Sequence, residues 1–139
     1  GGGLISGIAT YLKTIDPSVQ VIACSPSNSA VMQHSVAAGR IIEEESLDTL
    51  SDGTAGGVEP GAMTFELVRD LVDAYVDVSE DEIAAAIRLF MEHHHMMIEG
   101  AAGVAIAGYL RLKEQFADRN IVIVLCGANI SLQRLRSVL

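Results

Sequence analysis

Three consecutive glycines, Gly1 to Gly3, stand directly before an apolar pattern of helical spacing, and this junction constrains the fold most strongly. The pattern, which predicts a helix over 4–15, consists of Leu4, Ile5, Ile8, Ala9 and Leu12. Glycine has no Cβ atom, so its backbone can turn tightly and bring N–H groups close to a ligand. The unpaired N–H groups and the positive dipole end of the helix point to the same place. The junction favours a phosphate site, with a tight turn before an ordinary helix as the alternative.

The remaining sequence alternates helical patterns with short apolar runs, which indicates an α/β fold built on a parallel sheet. Strands are predicted at 19–24, 41–42, 74–78 and 121–125. Helices are predicted at 4–15, 30–38, 64–72, 80–97, 101–115 and 132–139. Ser79 and Glu82 have the spacing of a capping box at the start of one of these helices. Residues 46–61 are predicted to form a long loop, a kind of segment that is often functional.

Composition restricts the partners of the chain. The formal net charge of −9 disfavours binding to nucleic acid and to anionic membranes. Half of the residues are apolar and only 19% are charged, which predicts a folded core rather than disorder. Cys24 and Cys126 are too few for a disulfide framework and fit a reducing compartment, so we expect a cytoplasmic protein.

Three segments resemble motifs of the fold-type II pyridoxal-phosphate enzymes, and they occur in the order found in that family. Gly1–Gly7 is similar to the glycine loop that holds the cofactor phosphate. Ile98–Val104 resembles the Glu-Pro/Gly-x-Ala-Gly segment, and Val124–Asn129 resembles the Ser/Cys-Gly-Gly-Asn segment. Residues 69–73 and 78–83 look like serine/threonine dehydratases and serine racemases. The resemblance implies an α/β fold with a partial parallel sheet and flanking helices, as in the tryptophan synthase β-like large domain, and pyridoxal phosphate as the cofactor.

The resemblance also implies a set of cofactor-binding residues. They are Gly1, Gly2, Gly3, Leu4, Glu99, Cys126 and Gly127. In the family, a Ser or Cys matching Cys126 faces the pyridine nitrogen, and a neutral group there makes the ring a milder electron sink that suits β-elimination. A Glu matching Glu99 lies near the ring. The alternatives are a buried structural cysteine and a surface carboxylate that caps a helix.

No catalytic residue is predicted, because the family motif that carries the Schiff-base lysine has no match in the chain. Lys13 and Lys113 are the only lysines, and each lies in a predicted helix outside any such motif. We therefore expect residues 1–139 to be the C-terminal part of the large cofactor-binding domain, without the part that carries the catalytic lysine. We expect this chain to be inactive by itself.

The function implied by the resemblance is that of a lyase of amino-acid metabolism. A threonine or serine dehydratase (ammonia-lyase) converts a hydroxyamino acid to a 2-oxo acid and ammonia. Serine racemase, a dehydratase of another hydroxylated amino acid, and a non-catalytic α/β domain that binds a phosphorylated small molecule are the alternatives. The expected partners are a small amino-acid substrate and further copies of the chain in a homo-oligomer, because a partial sheet exposes apolar surface.

No metal site is predicted. Residues 93–95 are consecutive histidines, and consecutive helical side chains point about 100° apart, so the three cannot share one face. Some serine racemases and their relatives carry acidic cation ligands at two positions that are Ser25 and Val31 here. This difference weakens the racemase interpretation.

Overall fold

The computed structural model describes all 139 residues, and a sheet of two parallel strands lies at its centre. The strands are β1 (Ile22–Pro26) and β2 (Ala74–Val78), which pair from Ile22 opposite Ala74 to Pro26 opposite Val78. Parallel neighbours require a crossover connection, and helices α2 (Val31–Ala37) and α3 (Met63–Leu71) lie within it. The predicted class, α/β with a partial parallel sheet and flanking helices, is confirmed.

The prediction for β2 is confirmed at both ends, whereas β1 begins after the start of the strand predicted at 19–24. The Asp73 carboxylate accounts for this late start, because it accepts a hydrogen bond from the Val21 N–H at 2.7 Å. The same carboxylate lies 2.8 Å from the Lys13 ammonium group. The Val21 donor is therefore satisfied by a side chain instead of by a strand ladder.

Helix α1 (Gly3–Ile15) packs against α3, and the two enclose the smaller of two apolar cores. Its buried members are Ala9, Val21, Val68 and Val72. Ala9 and Val68 have no exposed surface, so the close contact of α1 with α3 fixes the start of α1 relative to the sheet.

Helices α4 (Glu80–His94) and α5 (Gly100–Leu112) form the larger core. A Cβ atom on Gly103 would lie 2.7 Å from Ile87 Cγ1, and one on Gly108 would lie 2.4 Å from Cys24 Sγ. Glycine at both positions lets α5 pack closely on α4 and on β1. Burial raises the pKa of the Cys24 thiol to about 11, so this cysteine is a neutral core residue.

The ends of these helices follow local sequence signals. The predicted capping box is present: the Ser79 side chain accepts from the Glu82 N–H, and the Glu82 carboxylate accepts from the Ser79 N–H. Helix α4 ends at His94, before the predicted end at residue 97, because His95 adopts a left-handed conformation with φ of 55°. Helix α5 gives way at Leu112 to a 3-10 turn, Lys113–Phe116.

Two predicted strands are wrong. At 41–42 the Ile42 N–H donates to the Ser35 hydroxyl at 3.1 Å and not to another strand. Residues 121–125 pair with no strand, and Val122 is 88% exposed. The final helix α6 (Leu132–Val138) is confirmed, and its Val138 is fully buried in the larger core. No helix combines the length and apolar character needed to cross a bilayer.

Candidate functional site

The glycine junction forms a tight turn that leads into α1. Gly2 has a φ of 77° and caps the helix, and its carbonyl accepts the Ser6 N–H at 3.0 Å. A Cβ atom on Gly2 would lie 2.8 Å from Met32 Cε. The Thr64 hydroxyl donates to the Gly1 carbonyl at 2.7 Å. The backbone conformation favours glycine at position 2, and any larger residue there would also displace the Met32 methyl group.

The start of α1 has the properties of an anion site. The backbone N–H groups of Gly3, Leu4 and Ile5 donate to no protein acceptor. The first turn carries no acidic side chain, and a Cβ atom on Gly1 or Gly3 would meet nothing within 4 Å. Free donors, open space and a positive dipole end together fit a phosphate group.

A second group of predicted residues meets at the start of α5. The Glu99 N–H donates to the Gly127 carbonyl at 3.2 Å, and the Asn129 N–H donates to Glu99 Oε2 at 3.0 Å. Gly127 has a φ of 110°, and a Cβ atom there would lie 2.1 Å from Glu99 Cδ. Only glycine fits this position beside the carboxylate.

Cys126 precedes this turn and is exposed. It does not lie at the carboxyl end of a strand, because the strand predicted at 121–125 does not form. The alternative of a buried structural cysteine does not hold either. The exposed thiol is accessible to a ligand.

The long loop at 46–61 packs beside Glu99 at the start of α5. A Cβ atom on Gly100 would lie 1.9 Å from the Leu50 carbonyl oxygen, and one on Gly53 would lie 3.2 Å from Glu99 Oε1. The Leu50 N–H donates to Glu80 Oε2 at 2.7 Å. Sequence reasoning missed Leu50, Gly53 and Glu80, and the length of the loop was the only signal that pointed to them.

The C-terminal helix anchors the same loop. The two terminal guanidinium nitrogens of Arg134 donate to the Asp48 carboxylate, at 2.6 and 3.1 Å. These hydrogen bonds hold the pKa of Asp48 below its usual value. The loop is therefore held from α4 at Leu50 and from α6 at Asp48.

The structure gathers the seven predicted residues into two groups. Glu99, Cys126 and Gly127 form one, and residues 1–4 at the start of α1 form the other. No hydrogen bond or ion pair joins the two groups. A ligand that used both would have to contact an exposed turn at one end and a helix start at the other.

A separate apolar cavity of about 300 Å³ lies between α4, α5 and residues 123 and 125.

Comparison with known proteins identifies the class. The profile of the family described as "Pyridoxal-phosphate dependent enzyme" matches residues 1–127. The chain therefore belongs to the pyridoxal-phosphate-dependent enzymes, and within them to the fold-type II serine/threonine dehydratase and serine racemase group.

Individual relatives agree with this assignment. The chain is 37% identical to the catabolic L-threonine dehydratase TdcB of Escherichia coli (strain K12), over 99% of this chain and 42% of the relative. It is 38% identical to serine racemase of Rattus norvegicus, over 97% of this chain and 41% of the relative. The processed form of threonine deaminase isoform 2 from Solanum lycopersicum superimposes with a TM-score of 0.88 at 34% identity, over 99% of this chain and 40% of that structure. The chain thus spans about two fifths of the length of these relatives.

Proposed function

We propose that this chain forms the phosphate side and the ring-nitrogen side of the cofactor site in a pyridoxal-phosphate lyase acting on threonine or serine. The products of that reaction are a 2-oxo acid and ammonia. The observation that carries the proposal is the start of α1, where three N–H groups have no acceptor and the Cβ positions of Gly1 and Gly3 meet open space. The names and sequences of the relatives support the same reaction class.

The residues present fit the cofactor. The N–H groups of residues 3–5 would hold the phosphate, and the thiol of Cys126 would face the ring nitrogen. A thiol is a weak, neutral hydrogen-bonding group, whereas a carboxylate in that place would favour a protonated nitrogen. The bound cofactor supplies the electron sink for the reaction. Glu99, held through its backbone and its carboxylate, would be positioned beside the ring.

The catalytic lysine is proposed to come from outside residues 1–139, which would then form part of the large cofactor-binding domain. The two lysines of the chain support this view. The Lys13 ammonium group is held by the Asp73 carboxylate at 2.8 Å and makes no hydrogen bond or ion pair with either group of site residues. Lys113 lies in the 3-10 turn after α5 and contributes no hydrogen bond or ion pair to either group of site residues. The chain alone would therefore bind cofactor without turning over substrate.

A titration with pyridoxal phosphate tests the proposal. Near-ultraviolet absorbance should show saturable binding to the 139-residue chain, and borohydride should trap no covalent adduct on Lys13 or Lys113. The decisive variant is Gly3→Asp, which places a carboxylate at the proposed phosphate position in open space. Charge repulsion should weaken binding by about tenfold or more.

Gly7→Asp is the matched control, because Gly7 lies on the same helix and a Cβ atom there also meets nothing within 4 Å. Its binding should stay within about threefold of the unchanged chain, since only long-range repulsion remains. Equal losses in the two variants would refute a phosphate site at the start of α1. Absence of saturable binding by the unchanged chain would also contradict the proposal.

Serine racemase is the second candidate, because the serine racemase of Rattus norvegicus is as similar to this chain as the dehydratases are. The two reactions differ in their products. A dehydratase releases a 2-oxo acid and ammonia, whereas a racemase returns a proton to Cα with inverted configuration. A chiral amino-acid assay and a 2-oxo acid assay on a complete enzyme that contains residues 1–139 would separate them. Neutral residues at Ser25 and Val31 favour the dehydratase.

A further inference from the structure

We propose that Glu80, in the first turn of α4, is a positioning residue of the cofactor site that acts through the loop at 46–61 on Glu99. The inference rests on the proposed function, because it assigns Glu99 to the cofactor side of the molecule. Glu80 itself makes no hydrogen bond or ion pair with any of the seven proposed cofactor-binding residues. It acts through a series of close contacts that ends at the turn beside Cys126.

The first contact, between Glu80 and Leu50, has an energetic cost that a role in helix capping does not explain. Glu80 Oε2 accepts the Leu50 N–H at 2.7 Å, while Glu80 Oε1 is buried without any hydrogen-bond partner. A buried carboxylate oxygen that lacks a partner is destabilising. An exposed carboxylate in the first turn, such as that of Asp81, would favour the helix dipole without this cost. The contact with Leu50 is therefore the feature that distinguishes Glu80.

The second contact joins the loop to the start of α5. The Leu50 carbonyl oxygen occupies the space where a Cβ atom on Gly100 would lie, at 1.9 Å. Three residues further along, Gly53 approaches Glu99 so closely that a Cβ atom there would lie 3.2 Å from Glu99 Oε1. Movement of the loop at Leu50 must therefore change the space available to the Glu99 carboxylate.

The third contact passes from Glu99 to the turn at 127–129. Glu99 Oε2 accepts the Asn129 N–H at 3.0 Å, and the Glu99 N–H donates to the Gly127 carbonyl at 3.2 Å. Cys126 directly precedes this turn. The geometry of the turn, and with it the place of the thiol, depends on where the Glu99 carboxylate is held.

The loop has a second anchor, which should keep variants of Glu80 folded. The Arg134 guanidinium binds the Asp48 carboxylate with two hydrogen bonds and holds the beginning of the loop from α6. Loss of the Glu80 carboxylate should therefore loosen the loop at Leu50 without releasing it.

Amide hydrogen exchange on the 139-residue chain, resolved by residue, tests the inference without any ligand. In Glu80→Ala the amides of Leu50 and Asn129 should both exchange about tenfold faster, because the Leu50 N–H loses its acceptor and the hydrogen bond from Asn129 to Glu99 loses a restraint. Asp81→Ala is the matched control: it removes an exposed carboxylate from the same turn and should leave both amides unchanged. Faster exchange at Leu50 alone would overturn the inference, since Glu80 would then be only a local structural residue.

A second pair of variants tests the step from the loop to Glu99 and remains decisive if Glu80→Ala does not fold. Gly53→Ala adds a Cβ atom 3.2 Å from Glu99 Oε1, whereas Gly57→Ala adds one in open space within the same loop. Exchange at Asn129 should accelerate in Gly53→Ala and stay unchanged in Gly57→Ala. Equal exchange at Asn129 in the two variants would overturn the inference.

Cofactor titration of the same variants separates this inference from the proposed function. Pyridoxal phosphate should bind about fivefold more weakly to Glu80→Ala than to Asp81→Ala if positioning matters to the site. Equal affinities for these two variants would overturn the role of Glu80 in the site. No saturable binding to the unchanged chain would instead refute the proposed function, and the exchange data would still judge the coupling from Glu80 to Asn129.

Discussion

Gly127 combines two separate reasons for the absence of a side chain. Its φ of 110° lies where L-residues are strained, and its Cα faces the Glu99 carboxyl carbon so closely that a Cβ atom would lie at 2.1 Å. Gly56 has the first property without the second, because its φ is 128° and a Cβ atom there would meet nothing within 4 Å. The two glycines therefore allow strain and steric overlap to be measured separately.

Gly127→Ala should reduce the free energy of unfolding by about 2–4 kcal/mol, because backbone strain and displacement of the Glu99 carboxylate add together. Gly56→Ala should cost only about 1–2 kcal/mol, the part that strain alone explains. Urea unfolding of both variants gives these differences. Equal losses would mean that Glu99 moves freely away from Gly127, contrary to the contact in the structure.

Sequence resemblance named Glu99 and Gly127, and the structure shows them in contact. It could not name Leu50 or Glu80, because Leu50 contacts Glu80 and Gly100 across 30 and 50 residues of chain, and no motif marks such contacts. Contacts of this kind depend on how a loop folds back onto a helix. Local propensity and residue spacing carry no information about such long-range contacts.

At the scale of elements, strand predictions succeeded where a partner was present. The run at 74–78 pairs with β1 and matches its prediction at both ends. The run at 121–125 is at least as apolar and β-branched, yet it has no strand beside it. A strand requires a neighbour for its N–H and C=O groups, and composition cannot supply that neighbour.

The start of every helix was predicted to within one residue, and the cap of α4 shows that such signals are local. The capping box at Ser79 and Glu82 is made within four residues of chain, and the sequence pattern alone identifies it. The end of α4 was missed because His95 enters the left-handed region, which is uncommon for residues other than glycine.

Two valines test whether α6 is packed in the core while the run at 121–125 is exposed. Val138 in α6 is fully buried, whereas Val122 in the unpaired run is 88% exposed. Val138→Ala should reduce the free energy of unfolding by about 1–3 kcal/mol, and Val122→Ala by less than about 0.5 kcal/mol. Denaturant unfolding of both variants measures the difference. A loss of more than 1 kcal/mol at Val122 (about the size expected for a buried valine) would show that the run at 121–125 is packed in solution.

At the scale of the whole molecule, exposed apolar surface and net charge have opposite effects on self-association. Four side chains of the unpaired run are at least two fifths exposed: Ile121, Val122, Val124 and Leu125. Such a patch favours association with another apolar surface. The formal charge of −9 on every copy opposes association, and salt screens that repulsion.

We therefore predict that the chain self-associates through residues 121–125, more strongly as salt is raised. Sedimentation velocity at about 0.01 M and 0.5 M ionic strength should show a larger fraction of dimers at the higher value, where the Debye length is shorter. Val122→Ser should reduce that fraction, because it removes apolar surface from the patch. Met63→Ser is the control, since Met63 is 77% exposed on α3 but lies outside the patch. A monomer under all conditions would contradict the prediction, and an equal reduction by Met63→Ser would place the association surface elsewhere.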